Sequence, residues 1–482
     1  MAYDVSDGSR TIDAGTGASI RDVVSQGYCV GCGACAVRSG GVVSLTLSPT
    51  RTYTPDLARA GRDDLAAMSQ VCPFSYDGAG VTSVASSQGW DSLPHDPVVG
   101  RYRAIYTGRL NHPQALMSSS SGGLTTWLLQ RLLRDGLVDG VIHVAPTAGK
   151  QGEEIFKYRV STTADQVDGG RKSHYYATTY VDAVNSIRGD GRTYVFVGVS
   201  CFVTSLRLLL RQDPELAAQI RYCVGLVCGH LKSQEYAASL AWQLGIAPSD
   251  LAAVDFRLKV PGEQVSSYGF GAKRAGDEVL RTKPNRDLVG TNWGHTAFQL
   301  KACDYCDDIF AEGADAVLAD AWLPQFSSMW QGTNLVVVRE RALDQLFIEG
   351  AQAEEITLEP ADLAAAAQSQ AGNIRHRRFG LATRLDIDQR RGRWTPPTRV
   401  DEFGLTGYRG ARRLLVRLRR VIAAQSVVLF AHARRSGRLG VYLIPMRMLT
   451  GGYRVMDGLA RRSAHHALNT GVDPGTHTGV AE

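Results

Sequence analysis

Three cysteines spaced three residues apart open the part of the sequence with the clearest chemistry: Cys29, Cys32 and Cys35. Gly31 and Gly33 between them let the backbone curl and turn its amides toward sulfur. Bacterial ferredoxins begin an iron–sulfur site with this spacing, and the expected fourth ligand is a cysteine followed by proline. Cys72 precedes Pro73 here, so these four thiols predict one 4Fe-4S cluster.

The same cysteines also fit a zinc site or a group of buried thiols. Zinc motifs usually combine two C-x2-C pairs, whereas here a triplet is joined by one distant cysteine. The spacing therefore favours iron–sulfur over zinc. Residues 1–19 are polar and lack the apolar core of a secretory signal. The nine cysteines are accordingly expected to be metal ligands in a reducing cytoplasm rather than disulfides.

A second set of four cysteines follows later: Cys201, Cys228, Cys303 and Cys306. The last two form a C-x2-C pair, and the first two each follow a predicted strand. The set favours a second 4Fe-4S cluster, and the alternative is a redox-active dithiol at 303 and 306 beside two structural thiols. Cys223 is left over and is expected in the core, because it and Cys228 point to opposite faces of a regular strand.

A loop of serine and glycine, residues 117–123, leads into an amphipathic helix predicted over 124–134. The amino terminus of a helix presents unpaired amides and the positive end of the helix dipole. It therefore suits a phosphate or pyrophosphate group. The alternative is an ordinary serine cap followed by a glycine turn.

Predicted strands alternate with helices through the middle of the chain, which argues for an α+β or mixed α/β fold. Buried-type strands over 194–201 and 222–230 are each followed by a helix. Ligands bind at such strand-to-helix turns, where Cys201 and Cys228 lie. The elements that must position the chemistry are therefore the carboxyl ends of these strands.

The length of 482 residues allows two or three domains. Residues 78–97 have the composition of a linker, residues 341–371 are expected to be mainly helical, and residues from His465 onward are expected to form a flexible tail. The predicted units are a ferredoxin-like cluster domain at 1–90, a central mixed-sheet domain at 91–372, and a basic, partly helical extension at 373–482.

The charge is unevenly distributed along the chain. Between Arg375 and Arg438 there are 17 Arg, no Lys and 4 acidic residues, a net charge of +13. Because the whole chain carries +6, the remainder carries −7. The two parts are therefore expected to face different partners.

Residues 412–422 can form a basic amphipathic helix with Leu415, Leu418 and Ile422 on one side. Such a helix can bind an anionic membrane surface or an acidic partner subunit. The alternative is a helix packed on the core with solvated arginines. Nucleic acid is not expected, because aromatic interleaving and a reader motif are missing. No apolar run is long enough to span a bilayer, so a cytoplasmic location, peripheral to the membrane at most, is expected.

Taken in order, these motifs resemble the beta subunit family of coenzyme F420 hydrogenases and dehydrogenases, which includes the 7-hydroxymethyl chlorophyll a reductases. The resemblance covers about residues 25–340. It is carried by Cys29-x2-Cys32-x2-Cys35 with Cys72-Pro73, Ser121-Gly122-Gly123 before a helix ending at 135–140, Phe196-Val197-Gly198 to Cys201, Gly225 to His230, Cys303-x2-Cys306 and the run at 314–322.

The resemblance implies an oxidoreductase that holds FAD and 4Fe-4S clusters and takes coenzyme F420 as its substrate. Such proteins move a hydride between F420 and FAD, and FAD exchanges single electrons with the clusters. The eight cysteines of the two sets would be the metal ligands. The residues implied to bind the flavin are Ser120, Ser121, Gly122, Gly123, Ser173 and Tyr176, and the implied catalytic residues are His174 and Tyr175.

The sequence departs from the family pattern at two places. Ser200 stands where the family usually has proline before the cysteine, and His174 stands where it has lysine. His174 can offer a proton or a positive charge, but the contact made by the lysine is in question. His230 is a further acid/base candidate, and alternatively it hydrogen-bonds a cluster sulfur or caps a helix.

Three functions compete at this stage. The first is an F420-dependent flavin enzyme. The second is an FAD enzyme that reduces an organic substrate with electrons from ferredoxin, whose acidic surface would suit the Arg-rich region. The third is a non-catalytic electron-transfer subunit of a larger membrane- or polysaccharide-associated complex.

Overall fold

The computed structural model describes residues 19–78, 80–147, 149, 153–401 and 404–470. Its amino-terminal region combines short helices with two small antiparallel strand pairs, β1 with β2 and β3 with β4. The elements are α1 (Ile20–Ser25), α2 (Ala34–Arg38), β1 (Leu45–Leu47), β2 (Tyr53–Pro55), α3 (Arg62–Gln70), α4 (Val81–Ser86), β3 (His95–Asp96) and β4 (Gly100–Arg101).

The later strands belong to two sheets. They are β5 (Ala104–Leu110), β6 (Gly140–Pro146), β7 (Phe156–Ser161), β8 (Tyr194–Val199), β9 (Ile220–Leu226), β10 (Leu251–Leu258), β11 (Gly269–Arg274), β12 (Arg281–Pro284), β13 (Ala316–Asp320), β14 (Asn334–Val338) and β15 (Ile356–Pro360). Strands β10, β11 and β12 form an antiparallel sheet of their own.

The other eight of these strands form the large sheet in the order β15-β5-β14-β13-β9-β8-β6-β7. The four central strands β13, β9, β8 and β6 run parallel, and the outer pairs are antiparallel. Central strands such as β8 and β13 are buried along most of their length, as parallel strands covered on both faces require. The predicted mixed α/β fold is confirmed.

Helices cover both faces of this sheet and extend beyond it. They are α5 (Pro113–Ser118), α6 (Leu124–Arg134), α7 (Ala164–Asp168), α8 (Val181–Ile187), α9 (Ser200–Leu210), α10 (Pro214–Gln219), α11 (Glu235–Trp242), α12 (Arg341–Gln352), α13 (Leu363–Ser369), α14 (Ala371–Arg377), α15 (Phe379–Gln389), α16 (Gly410–Ser436) and α17 (Gly440–Thr470). Short 3₁₀ turns include Trp293–His295 and Lys301–Asp304.

Helix α6 shows how the sequence pattern determines a local element. Leu124, Trp127 and Leu132 fall on one face and are buried against the sheet. At its amino terminus, the Leu124 amide donates to Asn334 Oδ1 at 3.1 Å. Gly123 precedes the helix with φ +81°, a conformation that favours glycine. The helix predicted over 124–134 is confirmed.

Helices α16 and α17 pack on the protein through apolar faces. Ile422, Phe430 and Tyr442 are fully buried and share a cluster with Phe298 beside the small sheet. The arginine-rich helix therefore has the packed arrangement that sequence analysis held as an alternative. Within the described part of the chain, no helix combines the length and the apolarity needed to cross a bilayer.

Two local expectations are wrong, and a third is incomplete. The linker expected at 78–97 contains α4 and buries Val84 and Trp90. The segment 341–371 is mainly helical as expected, through α12 and α13, but it also includes edge strand β15, which pairs with β5. The tail expected from His465 is helical to Thr470, and its remainder lies outside the described residues.

The expected boundary at residue 372 falls inside α14, and residues just beyond it are part of the core. His376, Arg377 and Arg384 are all at most 5% exposed. The division into units at 1–90, 91–372 and 373–482 remains a prediction.

Candidate cofactor and electron-transfer site

The first cysteine set lies around the loop before α2 and the end of α3. Burial raises the pKa of Cys35, and the other three thiols of the set raise it further, so the four lie close together. The Gly31 amide is directed at Cys29 Sγ, 3.4 Å away. These contacts give the loop the expected arrangement of thiols with backbone amides turned toward sulfur.

Both glycines of this loop have positive φ, +73° for Gly31 and +101° for Gly33. A Cβ at Gly33 would lie 2.3 Å from Val181 Cγ2 and 2.6 Å from Thr179 Oγ1. The loop therefore needs glycine at this position for its conformation and for its close approach to α8.

The second set comes together from three parts of the chain. Cys201 is in the first turn of α9, Cys228 follows β9, and Cys303 and Cys306 lie at the Lys301–Asp304 turn. Burial raises the pKa of Cys201 and the other three thiols raise it further. The Leu231 amide donates to Cys303 Sγ at 3.2 Å.

The two sets are neighbours, because Cys32 of the first set also raises the pKa of Cys201 in the second. All nine cysteines are described, and all are free. Cys223 is fully buried on β9, where its amide donates to Asp315 Oδ2 at 2.6 Å. It is a core residue outside both sets.

Among the described residues, no three His, Cys, Asp or Glu side chains are grouped as ligands of a single metal ion. A 4Fe-4S cluster makes a different demand, since each cysteine binds a different iron and the thiols surround the cluster. Four thiols brought together in each set, with amide donors to Cys29 and Cys303, suit such a cationic group. The chemistry of each donor set therefore fits the predicted cluster.

A buried arginine lies within the second set. Arg377 of α14 is 2% exposed and donates to Cys306 Sγ and to the Asp308 carbonyl oxygen. Burial alone would lower the pKa of Arg377, but the Cys306, Cys228 and Cys303 thiols raise it above its usual range. A fixed positive charge thus faces the sulfur atoms.

Beside the second set, a cavity of about 740 Å³ opens at the carboxyl ends of the central parallel strands. Its walls include Val199 at the end of β8, Cys228 after β9 and Asp320 at the end of β13. Ligands of open α/β sheets bind at this edge. The volume lies within the roughly 300–1,000 Å³ typical of ligand pockets.

The serine–glycine loop forms one wall of this cavity through Ser120, Ser121 and Gly123. Ser120 Oγ accepts a hydrogen bond from the Ser173 amide at 2.8 Å, which leaves its hydroxyl proton to donate to a ligand. Ser121 Oγ donates to the Thr333 carbonyl oxygen at 3.0 Å. The loop is therefore fixed from both sides, with the amino terminus of α6 behind it.

Gly122 is placed differently from the expectation, since it is not among the residues that line the cavity. A Cβ there would lie 2.7 Å from the Gly108 carbonyl oxygen and 2.8 Å from the Asn334 amide nitrogen. Gly122 therefore allows the loop to pack closely on β5 and β14.

Ser173, His174, Tyr175 and Tyr176 all line the cavity. The His174 ring lies 4.2 Å from that of Phe156, and Tyr175 meets Trp293 edge-to-face at 4.8 Å. Burial lowers the pKa of His174 to about 4 and raises that of Tyr175. At neutral pH His174 is therefore uncharged, which argues against the positive charge considered for it, and Tyr175 keeps its proton.

His174 does not supply positive charge to this part of the cavity lining. Nearby basic residues that sequence analysis missed supply it. Lys172, directly before Ser173, lies 3.0 Å from Asp255, and Arg171 donates to Ser119 Oγ at 2.9 Å. Arg257 pairs with Asp320 at 2.8 and 3.1 Å. The basic pair Arg171-Lys172 before Ser173 could have been noticed in the sequence. No feature of the sequence around Arg257 indicates that it lies in the site.

A loop of serine hydroxyls and helix amides beside buried arginines suits a phosphate or pyrophosphate. Aromatic walls from Tyr158 and Tyr175 suit a planar ring system. The residues present therefore fit a flavin nucleotide.

Family models match two adjoining segments of this chain. Residues 105–185 match the model described as coenzyme F420 hydrogenase/dehydrogenase, beta subunit N-term, and residues 191–364 match the model for the C terminus of that beta subunit. This chain belongs to that family. The resemblance noted from the motifs is thereby confirmed, and the family is one of oxidoreductase subunits.

Among solved structures, this F420 hydrogenase/dehydrogenase beta subunit family member is similar to a chain of the F420-reducing [NiFe] hydrogenase complex from Methanosarcina barkeri. The alignment covers 62% of this chain and 97% of that chain, at 17% identity and a TM-score of 0.47. No curated protein matches the sequence.

One wall of the cavity lies beyond the matched segments. Arg375 and His376 of α14, Arg419 of α16 and Tyr453 of α17 all line the cavity. Sequence analysis assigned this region to a membrane or partner surface and missed its place in the site. The arginine content was visible, but only the tertiary structure brings these helices to the cavity.

Proposed function

We propose that this family member is an iron–sulfur flavoprotein oxidoreductase that exchanges hydride with coenzyme F420. In this proposal FAD occupies the cavity and the two cysteine sets hold 4Fe-4S clusters. The observation that carries the proposal is the position of Cys228, which lines the same cavity as Ser120 and Ser121. An anion-binding loop and an electron-transfer ligand set thus face one ligand.

Each part of the site has a role in this proposal. Ser120 donates its hydroxyl to a phosphate oxygen, and Arg171 fixes the loop through Ser119. His174 and Tyr175, both neutral at pH 7 because of burial, are the candidate catalytic residues, which orient the reacting ring and hold a proton beside it. A bound flavin supplies the exchange between two-electron hydride chemistry and single electrons.

The arrangement of the sets supports a direction for electrons. Cys228 of the second set borders the cavity, and Cys201 of the same set neighbours Cys32 of the first set. The second set therefore borders the cavity and also neighbours the first set. We infer that single electrons pass from the cavity to the second set and then to the first.

The test uses anaerobically purified and reconstituted protein. Iron and flavin are quantified per chain, and reduced F420 is then added while flavin and cluster absorbance are followed. Two clusters correspond to about eight irons, with one flavin and rapid bleaching. Flavin-free protein, or protein that reduced F420 does not bleach, contradicts the proposal.

Matched cysteine variants sharpen this test. Cys306→Ala is expected to lower the iron content to about four per chain and to leave the flavin in place. Cys223→Ala is the control, because Cys223 belongs to neither set and should leave about eight irons. A parallel sample receives reduced ferredoxin, and bleaching with ferredoxin alone would replace F420 by ferredoxin as the donor to an organic substrate.

A further inference from the structure

Arg419 occupies an unusual position in the cavity wall. Its Nε is buried, and among the described residues it has no hydrogen-bond partner. Within the same part of the chain, no carboxylate lies within ion-pair distance of its guanidinium, whereas the neighbouring Arg420 pairs with Asp388 at 3.0 Å. A cavity-lining guanidinium without an anion is costly, because the charge loses water without gaining a partner.

The groups around Arg419 are bases rather than acids. Lys232, His230 and His376 line the same cavity as Arg419, and so does Arg375. The acid at this rim is Asp457, whose oxygen already lies 2.7 Å from Arg461. The wall therefore carries positive charge that nothing in the described residues neutralises.

Two histidines of this wall also lack partners. Both ring nitrogens of His376 and Nε2 of His230 are buried without a hydrogen bond among the described residues. Each ring is 5% exposed, and each lines the cavity. Unsatisfied buried donors of this kind point to a ligand group that accepts hydrogen bonds.

Together these residues form a site that differs from the serine–glycine loop. The loop is bonded to Arg171 and Ser173, whereas Arg419 and His376 come from α16 and α14, beyond the family match at 191–364. Exposed Arg461 and half-buried Asp457 at this wall indicate that it reaches the solvent side of the cavity. A group bound here can enter and leave with a dissociable substrate.

We propose that Arg419, with His376 and His230, binds an oxyanion group, a carboxylate or a phosphate, of the dissociable electron carrier. The inference rests on the proposed function, because it assigns the cofactor phosphate to the serine–glycine loop and the substrate anion to the α14–α16 wall. Arg419 supplies charge-assisted hydrogen bonds, and each histidine ring can supply an N–H.

The first experiment measures kinetics with reduced F420. Arg419→Gln is expected to raise KM by about tenfold or more, as expected for loss of a charge-assisted hydrogen bond, with kcat nearly unchanged. Arg419→Lys should recover part of the loss, and Arg435→Gln, an exposed position on the same helix, should leave KM unchanged. The Thr296 hydroxyl bonds the backbone oxygen of Arg419, so this contact survives the substitution.

The variant His376→Leu distinguishes a role of His376 in substrate binding from a role in protein stability. Because the ring nitrogens have no partners, replacing the ring with an apolar side chain should maintain or increase thermal stability while raising KM. A stable variant with unchanged KM would remove His376 from the site. If Arg419→Gln lowers flavin content instead of raising KM, the anion belongs to the cofactor and the assignment to the substrate is overturned.

A direct binding measurement keeps this inference separate from the choice of F420. Inorganic phosphate and triglutamate are titrated against the holoprotein, and thermal unfolding is followed. Stabilisation that is lost in Arg419→Gln and kept in Arg435→Gln supports the site, even if F420 fails to reduce the protein. The absence of stabilisation in the unsubstituted protein overturns it.

Discussion

Arg377 donates a hydrogen bond from its guanidinium to the sulfur of Cys306. Cys306 lies within the family match, which ends at residue 364, and Arg377 lies beyond it. The pair therefore places a fixed positive charge from the C-terminal region directly at the second cysteine set. Arg377 also donates to the carbonyl oxygens of Asp308 and Cys228, which bind its guanidinium tightly in place.

This contact predicts an effect on the reduction potential of one cluster. A positive charge beside the sulfur atoms stabilises an added electron. Arg377→Gln is therefore expected to lower one midpoint potential by roughly 60 mV, about 1.4 kcal/mol for one electron. The potential of the first cluster should change much less.

Potentiometric titration with spectroscopic detection of the clusters checks this prediction. Arg377→Lys is the matched variant, because it keeps the charge but loses the planar donor pair. If the positive charge is responsible, the midpoint potential of Arg377→Lys should stay close to that of the unsubstituted protein. Equal shifts in both midpoint potentials would show a general structural disturbance instead.

The close packing at Gly33 predicts that a side chain there would disturb the first cysteine set. Alanine at this position would require positive φ and would place Cβ 2.3 Å from Val181. Gly33→Ala should therefore lower iron content by about one cluster, four irons, while the flavin cavity is kept. Iron analysis and flavin absorbance measure the two effects separately.

Gly40 provides the matched control for backbone conformation. It also has positive φ, +59°, but a Cβ there would meet nothing within 4 Å. Gly40→Ala should cost only about 1 kcal/mol of backbone strain and keep all the iron. Comparable iron loss in both variants would assign the effect to strain rather than to the packing of the loop on α8.

Sequence reasoning reached the parts of the site that are encoded locally. The triplet spacing and Cys72-Pro73 indicated a set of four thiols, and the structure brings those thiols together. The strand-to-helix turns at Cys201 and Cys228 lie at one sheet edge, because the carboxyl ends of parallel strands meet there. The second set could therefore be assembled from the strand pattern and the remaining C-x2-C pair.

The parts that were missed depend on contacts between distant segments. Strand β15 follows a helical composition and exists through its pairing with β5, which overrides local propensity. Arg377 and Arg419 stand among 17 arginines in their region, and spacing does not distinguish the buried ones from the solvated ones. Only the packing of α14 and α16 shows that these two reach the cysteines and the cavity.

The outer faces of α16 and α17 predict binding to anionic membranes. Leu414, Val421 and Val428, seven residues apart, are 45–48% exposed on α16, and Ile444 and Met448 are 63% and 74% exposed on α17. Residues 410–461 contain 11 Arg and one acidic residue. Exposed apolar side chains beside arginine suit a surface of anionic lipid.

Vesicle co-sedimentation tests this surface. The protein should bind vesicles that contain anionic lipid, should bind neutral vesicles weakly, and should dissociate as salt rises. Ile444→Glu combined with Met448→Glu should abolish binding and spare flavin and iron, because both side chains are exposed. Equal binding to neutral vesicles, or none to anionic vesicles, would contradict the prediction.

His143 of β6 predicts a pH dependence of stability. It is 5% exposed, and its Nε2 lies 2.9 Å from Ser161 Oγ. Burial lowers its pKa from 6.5 to about 4, so between these values the unfolded chain binds the proton that the folded protein does not. Neutral His143 therefore contributes fully to the free energy of unfolding above pH 6.5. This contribution is lost as the pH falls toward 4, by up to about 3 kcal/mol.

Anaerobic denaturant unfolding at pH 7.5 and pH 5 measures this contribution. His143→Gln should reduce the loss of stability between the two pH values, because the substituted side chain does not titrate. His432→Gln on the exposed side of α16 is the control and should keep the pH dependence of the unsubstituted protein. Cluster loss at low pH affects all three proteins alike, so only the difference between variants reports on His143. The same pH dependence in all three would show that protonation of His143 is not what destabilises the fold in acid.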